Sequence, residues 1–314
     1  MAMPDQARAA GRVAILLSTF NGERFLDEQL ASLQAQTVTD WRLYWRDDGS
    51  SDGTGEVMAA FRARLGPDRV VAVPNEGRLG ASASFLHLLR AADADAADFV
   101  AFADQDDVWL PEKLARGLDT LATRPPGTAA LYFARQVLVD ANLQRICLSS
   151  PLRQAPEFPA SLTQNVATGC TLMLNRAAIQ LIAASRAPAT TLHDWWCYLL
   201  VTAAGGVALF DSTPVVLYRQ HGQNLVGAPA SWLRRVAGAL HRGPQAFMNV
   251  LRNNVAALAE QPQLLSEQAR EQVATIARAL DGGALRRLPV LRMRGLVRQT
   301  WSETALFRLW FLLH

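Results

Sequence analysis

The sequence predicts an α/β chain: a mostly parallel, Rossmann-like sheet flanked by helices, followed by a C-terminal helical region. Three observations carry this. Between residues 13 and 103, short apolar runs alternate with segments of helical period. Asp-rich clusters follow directly after two of those runs, where a parallel sheet presents its ligands. From Ser231 the pattern is helical almost to the end.

The elements follow in order. Val13–Leu17 reads as a buried parallel strand running into the polar turn Ser18-Thr19-Phe20-Asn21-Gly22. A helix carries Phe25, Leu26, Leu30 and Leu33 on one face. Trp41–Trp45 is a strand ending at Asp47-Asp48-Gly49, Thr54–Leu65 a helix and Arg69–Val73 a strand. The loop Asn75-Glu76-Gly77-Arg78-Leu79-Gly80 leads to a helix over Ser82–Ala92, and the strand Phe99–Ala103 ends at three aspartates. Leu114, Leu118 and Leu121 mark a helix that stops before Pro125-Pro126. Ala129–Phe133, Val137–Val139, Val207–Phe210 and Val215–Tyr218 are expected as four strands, Thr168–Leu174 as a glycine-led strand, and His193 opens a helix. The late helices break near Gly243-Pro244, Pro262 and Gly282-Gly283.

The 314 residues allow one or two domains, divided on this reading into 1–229 and 230–314. Half the residues are hydrophobic and 19% are charged, which suits a packed core and argues against a disordered chain. The net charge of +3 is asymmetric: residues 1–229 hold 19 Arg/Lys and 23 Asp/Glu, residues 230–314 hold 12 Arg and 5 Asp/Glu. An acidic half with a basic tail fits a cation site joined to a surface that meets anions, or simply a solvated helical surface. No nucleic-acid motif is present, so nucleic acid is not an expected partner. Cys147, Cys170 and Cys197 fit no zinc spacing and suggest a reduced, cytoplasmic setting. No secretory pattern opens the sequence and no apolar run reaches the roughly 18 residues of a membrane span.

Asp104-Gln105-Asp106-Asp107 carries the first chemistry. Three carboxylates at the end of an apolar strand are costly to bury unpaired. A divalent cation offsets that charge, and Mg²⁺ is commonly held by few carboxylates plus phosphates. Ser18–Asn21 and Asp47-Asp48-Gly49 stand at strand ends, where an aromatic can cover a base and a carboxylate can accept from it; ordinary turn chemistry explains the same residues. The absence of Gly-x-Gly-x-x-Gly after the first strand and of a Walker Gly-Lys-Ser/Thr counts against a dinucleotide oxidoreductase and a P-loop ATPase.

Taken together, Leu17–Gly22, Arg46–Thr54 and Ala103–Trp109 resemble the family 2 glycosyltransferases, over residues 12 to about 225. The resemblance implies a GT-A fold and sugar transfer from a nucleotide-diphosphate donor. It is most similar to bacterial rhamnosyltransferases of O-antigen, capsule and related polysaccharides, which typically use dTDP-L-rhamnose. It further implies that Ser18 and Phe20 line the nucleoside, Asp48 contacts the base and Asn75 lies near the donor. Within Asp-x-Asp, Asp104 would contact ribose or metal waters and Asp106 would hold Mg²⁺ or Mn²⁺. Asp107 is expected to point elsewhere on an extended segment.

His193-Asp194-Trp195-Trp196 resembles the family's late acidic motif, whose aspartate is the general base. Here His-Asp replaces the usual Glu-Asp. An inverting transfer needs one base to take the acceptor hydroxyl proton; helix capping by Asp194 is the structural alternative. Tyr218-Arg219-Gln220-His221-Gly222-Gln223-Asn224 follows a strand, and Arg219 and His221, two apart, could clamp a diphosphate. Trp195, Trp196 and Trp109 could stack on sugar, although Trp109 is read as core. Paired carboxylates would also suit a glycosidase, which leaves Asp-Asp-Gly-Ser unexplained.

In the tail, Arg286, Arg287, Arg292, Arg294 and Arg298 precede Trp301, Leu306, Phe307, Trp310 and Phe311. They suit a helix lying in an anionic membrane surface, at the inner face of the membrane near a lipid-linked glycan acceptor. Packing on the catalytic domain, or on another subunit in a homo-oligomer, fits equally. The residues and the resemblance together predict an inverting, metal-dependent rhamnosyltransferase. Its alternatives are the same reaction with a UDP-hexose and a non-catalytic sugar-nucleotide-binding scaffold.

Overall fold

The computed structural model describes residues 11–75, 77–221 and 232–313. Glu76, Gly222–Asn224, the 229/230 boundary and the expected helix start at Ser231 lie outside the described residues.

The first half follows the predicted alternation: β1 (Val13–Thr19), α1 (Glu23–Gln34), β2 (Trp41–Asp47), α2 (Thr54–Leu65), β3 (Val70–Ala72), α3 (Ala81–Ala94) and β4 (Phe99–Ala103). All pairings among these strands are parallel, with Thr19 opposite Asp47 and Leu17 opposite Ala103. The period-two alternation of β1 splits its side chains between two cores. Val13, Ile15 and Leu17 face Leu26, Leu30 and Leu33 of α1 and Met58 and Phe61 of α2. Ala14 and Leu16 face Phe85, Leu88 and Leu89 of α3. Helices therefore cover both faces, which is why β1 is apolar throughout. Each fully buried leucine contributes roughly 1.5–3 kcal/mol.

The second half adds β5 (Val108–Trp109), α4 (Lys113–Leu121), β6 (Ala130–Val139), β7 (Arg145–Leu148), β8 (Met173–Asn175), α5 (Arg176–Ala183), α6 (His193–Ala203) and β9 (Val207–Arg219). Among the described residues, nine strands form one sheet in the order β3-β2-β1-β4-β8-β6-β9-β5, with β7 beside β6. Antiparallel pairs enter here, at β4–β8, β6–β8, β6–β7 and β5–β9, while β6–β9 is parallel.

Three local expectations change. The four strands expected around residues 129–139 and 207–218 are two long ones, β6 and β9, with register shifts between Ala134 and Gln136. Arg116 explains how the irregular stretch holds: its guanidinium binds Asp211 at 2.7 and 3.0 Å, and Tyr132 donates to the same carboxylate at 3.0 Å. The apolar pattern broke at this polar anchor while the backbone ladder continued. Residues 168–174 form a tight 3₁₀ turn over Gly169–Thr171 before the short β8, not one strand.

Helices α7 (Trp232–Ala259), α8 (Glu267–Leu280), α9 (Ala284–Leu291) and α10 (Trp301–Leu313) complete the chain. Gly243, at φ 77°, interrupts α7 at the expected break. Met248, Leu251, Val255, Val273, Ile276, Phe307 and Phe311 join the same apolar core as α3, α5 and α6. The C-terminal helices are thus a layer on the sheet's helical face, sharing its core.

Candidate active site

Because β1, β2 and β4 are parallel, their C-terminal ends lie along one edge of the sheet. That edge collects Ser18–Phe20, Asp47–Asp48 and Asp104–Asp106.

The loops after β1 and β2 are laced together. Thr19 donates to Asp47 at 3.0 Å, Ser50 accepts from the Asn21 N–H at 2.9 Å, and Thr54 accepts from the Gly22 N–H at 2.8 Å. Asn21, at φ 48°, accepts in turn from the Ser51 N–H through its side-chain oxygen at 2.8 Å. Asp47, Ser50, Asp52 and Thr54 are therefore engaged in turn chemistry.

Gln105 is a joint that sequence reasoning missed. Its side-chain amide accepts from the Phe20 N–H at 2.8 Å and donates to the Phe20 carbonyl at 3.0 Å. It so ties the Asp-x-Asp turn to the end of β1. A Cβ at Gly22 would fall 2.4 Å from the Gln105 Oε1, so only glycine admits this approach. A half-buried amide here satisfies both its halves with one backbone residue, which local sequence does not reveal.

Asp48 is fully engaged. Arg46 donates to it at 2.6 Å, and the Leu79 and Gly80 N–H groups at 2.7 and 2.8 Å. Burial raises its pKa, but these donors outweigh it and hold the carboxyl below the usual range. Arg46, itself buried, also reaches Ser84 at 2.9 Å, Asn75 at 3.0 Å and the Gly77 carbonyl. Ser18 donates to the same Ser84 at 2.8 Å. Ser18, Asp48 and Asn75 thus belong to one network, and Phe20 stands beside it with the Arg78 guanidinium 3.9 Å above its ring.

The aspartates divide. Residues 104–107 form a turn rather than an extended segment. Asp107 is buried and its Oδ1 accepts from the Arg219 N–H at 3.0 Å. Asp104, Asp107 and Cys170 bring ligand atoms within 4.8 Å of one another. Burial, then Asp106 and Asp194, push the Asp104 carboxyl up to about 7. Burial also drives Asp107 well up. Lys113 lies against this cluster and opposes its charge; burial pulls its own pKa well down. Its Nζ donates to the Phe102 and Cys170 carbonyls at 3.2 and 2.6 Å and sits 3.0 Å from the Trp109 ring centre. Trp109 is core, as expected.

Asp106 faces outward instead, and its Oδ2 meets His221 Nε2 at 2.7 Å. Their side chains keep 18% and 12% exposure. A carboxylate oxygen and an imidazole nitrogen, adjacent and still reachable, are a donor set that fits a divalent cation. β5 brings this about by pairing with β9 and carrying Arg219 and His221 to the aspartate turn.

Arg219 departs from its expected use. It shares Phe25 with His221, as residues two apart on one face should. Its guanidinium, 1% exposed, is committed to the Asp106 carbonyl at 2.7 Å, the Ala141 carbonyl at 2.5 Å and Glu28. It braces the Asp106 backbone. The physical reason is burial: a cation enclosed there must be satisfied from inside the protein.

Across from these loops stands the N-terminus of α6. Leu192 is the N-cap without a side-chain bond, so Asp194 is a first-turn residue and not the cap. Its Oδ2 accepts from the Gly169 N–H at 3.0 Å and its Oδ1 from the Trp195 N–H at 2.6 Å. Burial pushes its pKa up to about 6, partly offset by these bonds. His193 stacks on Phe85 with centroids 4.2 Å apart. Both its ring nitrogens are buried without a partner, and burial lowers its pKa to about 3. Trp196 is core, and Trp195 donates to the Ser161 carbonyl at 2.7 Å while packing partly on that core. Neither stands as an open stacking wall.

A model of glycosyl transferase family 2 matches residues 14–181. The dTDP-rhamnosyl transferase RfbG of Shigella flexneri is 27% identical over 223 residues, which cover 69% of this chain and 75% of that protein. The UDP-Glc:alpha-D-GlcNAc-diphosphoundecaprenol beta-1,3-glucosyltransferase WfgD of Escherichia coli is 31% identical over 102 residues, covering 32% of this chain and 38% of that protein. Among solved structures, S. aureus TarS 1–349 in complex with UDP-GlcNAc superposes with a TM-score of 0.57 at 16% identity, covering 85% of this chain and 72% of that one. That likeness is one of fold, the GT-A fold. The family match spans more than half of the chain and includes the ends of β1, β2 and β4, while Asp194, Arg219 and His221 lie beyond it; the chain belongs to glycosyl transferase family 2.

Proposed function

We propose that the chain is an inverting rhamnosyltransferase, moving L-rhamnose from dTDP-L-rhamnose onto a surface-polysaccharide or lipid-linked glycan acceptor. The family assignment makes it a transferase acting on nucleotide sugars. The observation that supports the mechanism is Asp194: a carboxylate that burial raises to about 6, near enough to the Asp-x-Asp turn for its charge to raise Asp104. A base works best when its pKa lies near the working pH. Backbone N–H groups fix both Asp194 oxygens and leave lone pairs to take the acceptor hydroxyl proton as that oxygen attacks the anomeric carbon. Ser18, Phe20, Asp48 and Asn75 form the nucleoside side, with Asp48 orienting the 79–80 loop through its bonds to that backbone.

Asp106 and His221 would hold Mg²⁺ or Mn²⁺, which when bound would neutralise the departing diphosphate. Arg219 keeps the Asp106 backbone in place. Rhamnose is supported by the likeness to RfbG, and the lipid-linked acceptor by the name of WfgD. WfgD also favours a second reading, a UDP-hexose donor.

The test offers the purified chain dTDP-L-rhamnose or UDP-glucose with divalent cation, with and without chelator, and measures nucleotide diphosphate released. Release of dTDP above that of UDP supports rhamnose. Preferential UDP release selects the second reading. Tight nucleotide binding with no release from either would identify a scaffold. Full release in excess chelator, or from Asp106→Ala, would remove the metal.

A further inference from the structure

The structure splits the late aromatics and arginines into two sets. Phe307, Trp310 and Phe311 are buried, with Phe247 against Phe307 and Trp310. Arg287 is buried and donates to the carbonyls of Phe311 and Leu312 at 3.2 and 3.4 Å. Arg298 donates to the Thr163 carbonyl at 2.7 Å. This set seats α9 and α10 on the body of the protein and fixes α9 beside the end of α10.

The other set faces solvent. Trp301, Ala305, Leu309 and Leu313 recur every four residues, so they form one stripe along α10. Leu285 and Leu288, three apart, are exposed on α9. Trp301 is 84% exposed and Leu285 83%. Of seven large apolar side chains exposed among the described residues, five lie in this short segment. A helix that is apolar on its inner and outer sides normally has something covering both. Thirteen residues are too few to cross a bilayer, which needs about 20.

Charge identifies the cover. Arg286, Arg292, Arg294 and Arg308 are exposed around the stripe. The one acidic residue between 284 and 313, Glu303, is partly buried and accepts from the Thr300 N–H at 3.2 Å. A second copy on a two-fold axis would set these arginines against each other, which is unfavourable. We propose that α9 and α10 form a docking surface for an anionic lipid bilayer, lying in the interface with Trp301, Leu309 and Leu313 inserted and the arginines at the headgroups. This goes beyond the sugar-transfer reading and does not depend on which donor is used.

The experiment is cosedimentation of the full chain with vesicles of phosphatidylcholine alone or mixed with phosphatidylglycerol. Binding is expected to the mixed vesicles only. It should weaken as salt rises from about 0.1 M to about 1 M, where the screening length falls from about 10 to about 3 Å. Replacing Arg286, Arg292, Arg294 and Arg308 with Gln should lower it roughly 10²–10³-fold. Trp301→Ser with Leu313→Ser should weaken binding at every salt concentration. Thermal unfolding of the variants should match wild type, since these side chains face solvent. No binding to mixed vesicles at low salt would overturn the proposal. So would equal binding to neutral vesicles, or a dimer in sedimentation that the serine pair converts to monomer.

Discussion

Asp48 and Asp194 both show little surface, 3% and 8% exposed, yet Asp194 lies far deeper among protein atoms than Asp48. Desolvation alone would raise both pKa values. Asp48 nevertheless falls below the ordinary range, while Asp194 rises to about 6. The difference combines deeper desolvation of Asp194 with a weaker donor set. Asp48 receives a guanidinium and two backbone N–H groups; Asp194 receives backbone N–H groups from Gly169 and Trp195 and no guanidinium. On the proposed reading, the Asp48 side stays charged and fixed while the α6 side exchanges a proton.

The sharpest way to break the comparison is Asp194→Asn. It keeps shape and removes basicity, so turnover should fall roughly 10²–10⁴-fold with nucleotide affinity little changed. Near-normal turnover at saturating acceptor would make Asp194 a structural carboxylate like Asp48.

Arg46→Met tests the other side. It strands Asp48 as a buried charge and should cost about 3–5 kcal/mol, read by denaturant unfolding. Adding Asp48→Asn should recover part of that loss. A cost below about 1 kcal/mol would mean the backbone donors suffice.

Gly169→Ala presses on the α6 side alone. The new Cβ would lie 3.1 Å from His193 Nε2 and 3.5 Å from the Asp194 Cβ. Displacing the base should cut turnover about 10- to 100-fold with little change in melting temperature. Unchanged turnover would show that the base tolerates this shift.

Stability against pH gives the smallest effect and separates the signs. The raised pKa of Asp194 contributes stability that is full below its unfolded value of about 4 and lost as pH rises through about 6. Asp48 does the reverse: its contribution is present above about 4 and lost as pH falls through its lower folded value. Asp194→Asn should therefore flatten the decline of melting temperature between those limits. Asp48→Asn should flatten the acid side. The acid limb of the rate profile should fall near 6, close to the neighbouring Asp104, which is raised to about 7.

Much of the fold was legible because apolar periodicity reports burial directly. The helix over Thr54–Leu65 and the strand over Phe99–Ala103 stand where the pattern put them. Legibility failed where polar contacts override pattern. The Asp211 anchor hid the continuity of β9, and the Gly169 turn looked like a strand. In the site, the aspartates after Phe99–Ala103 stood out as carboxylates beside an apolar run, while Asp106 and Asp194 were singled out by the family resemblance. Gln105 and Lys113 could not be singled out, because an amide or amine gives no local sign of the distant backbone groups it will bind.

By itself the sequence determined which residues reach the catalytic edge. Strand polarity forces the segments after parallel strands to one side of a sheet, whatever their partners. Only the tertiary structure decided what each residue does there. Asp48 meets donors 31 and 32 residues away, Asp106 meets His221 across 115, and Arg219 turns to Asp107 across 112. Charge state and orientation depend on those partners within a few ångströms, and no local pattern encodes contacts made over such separations.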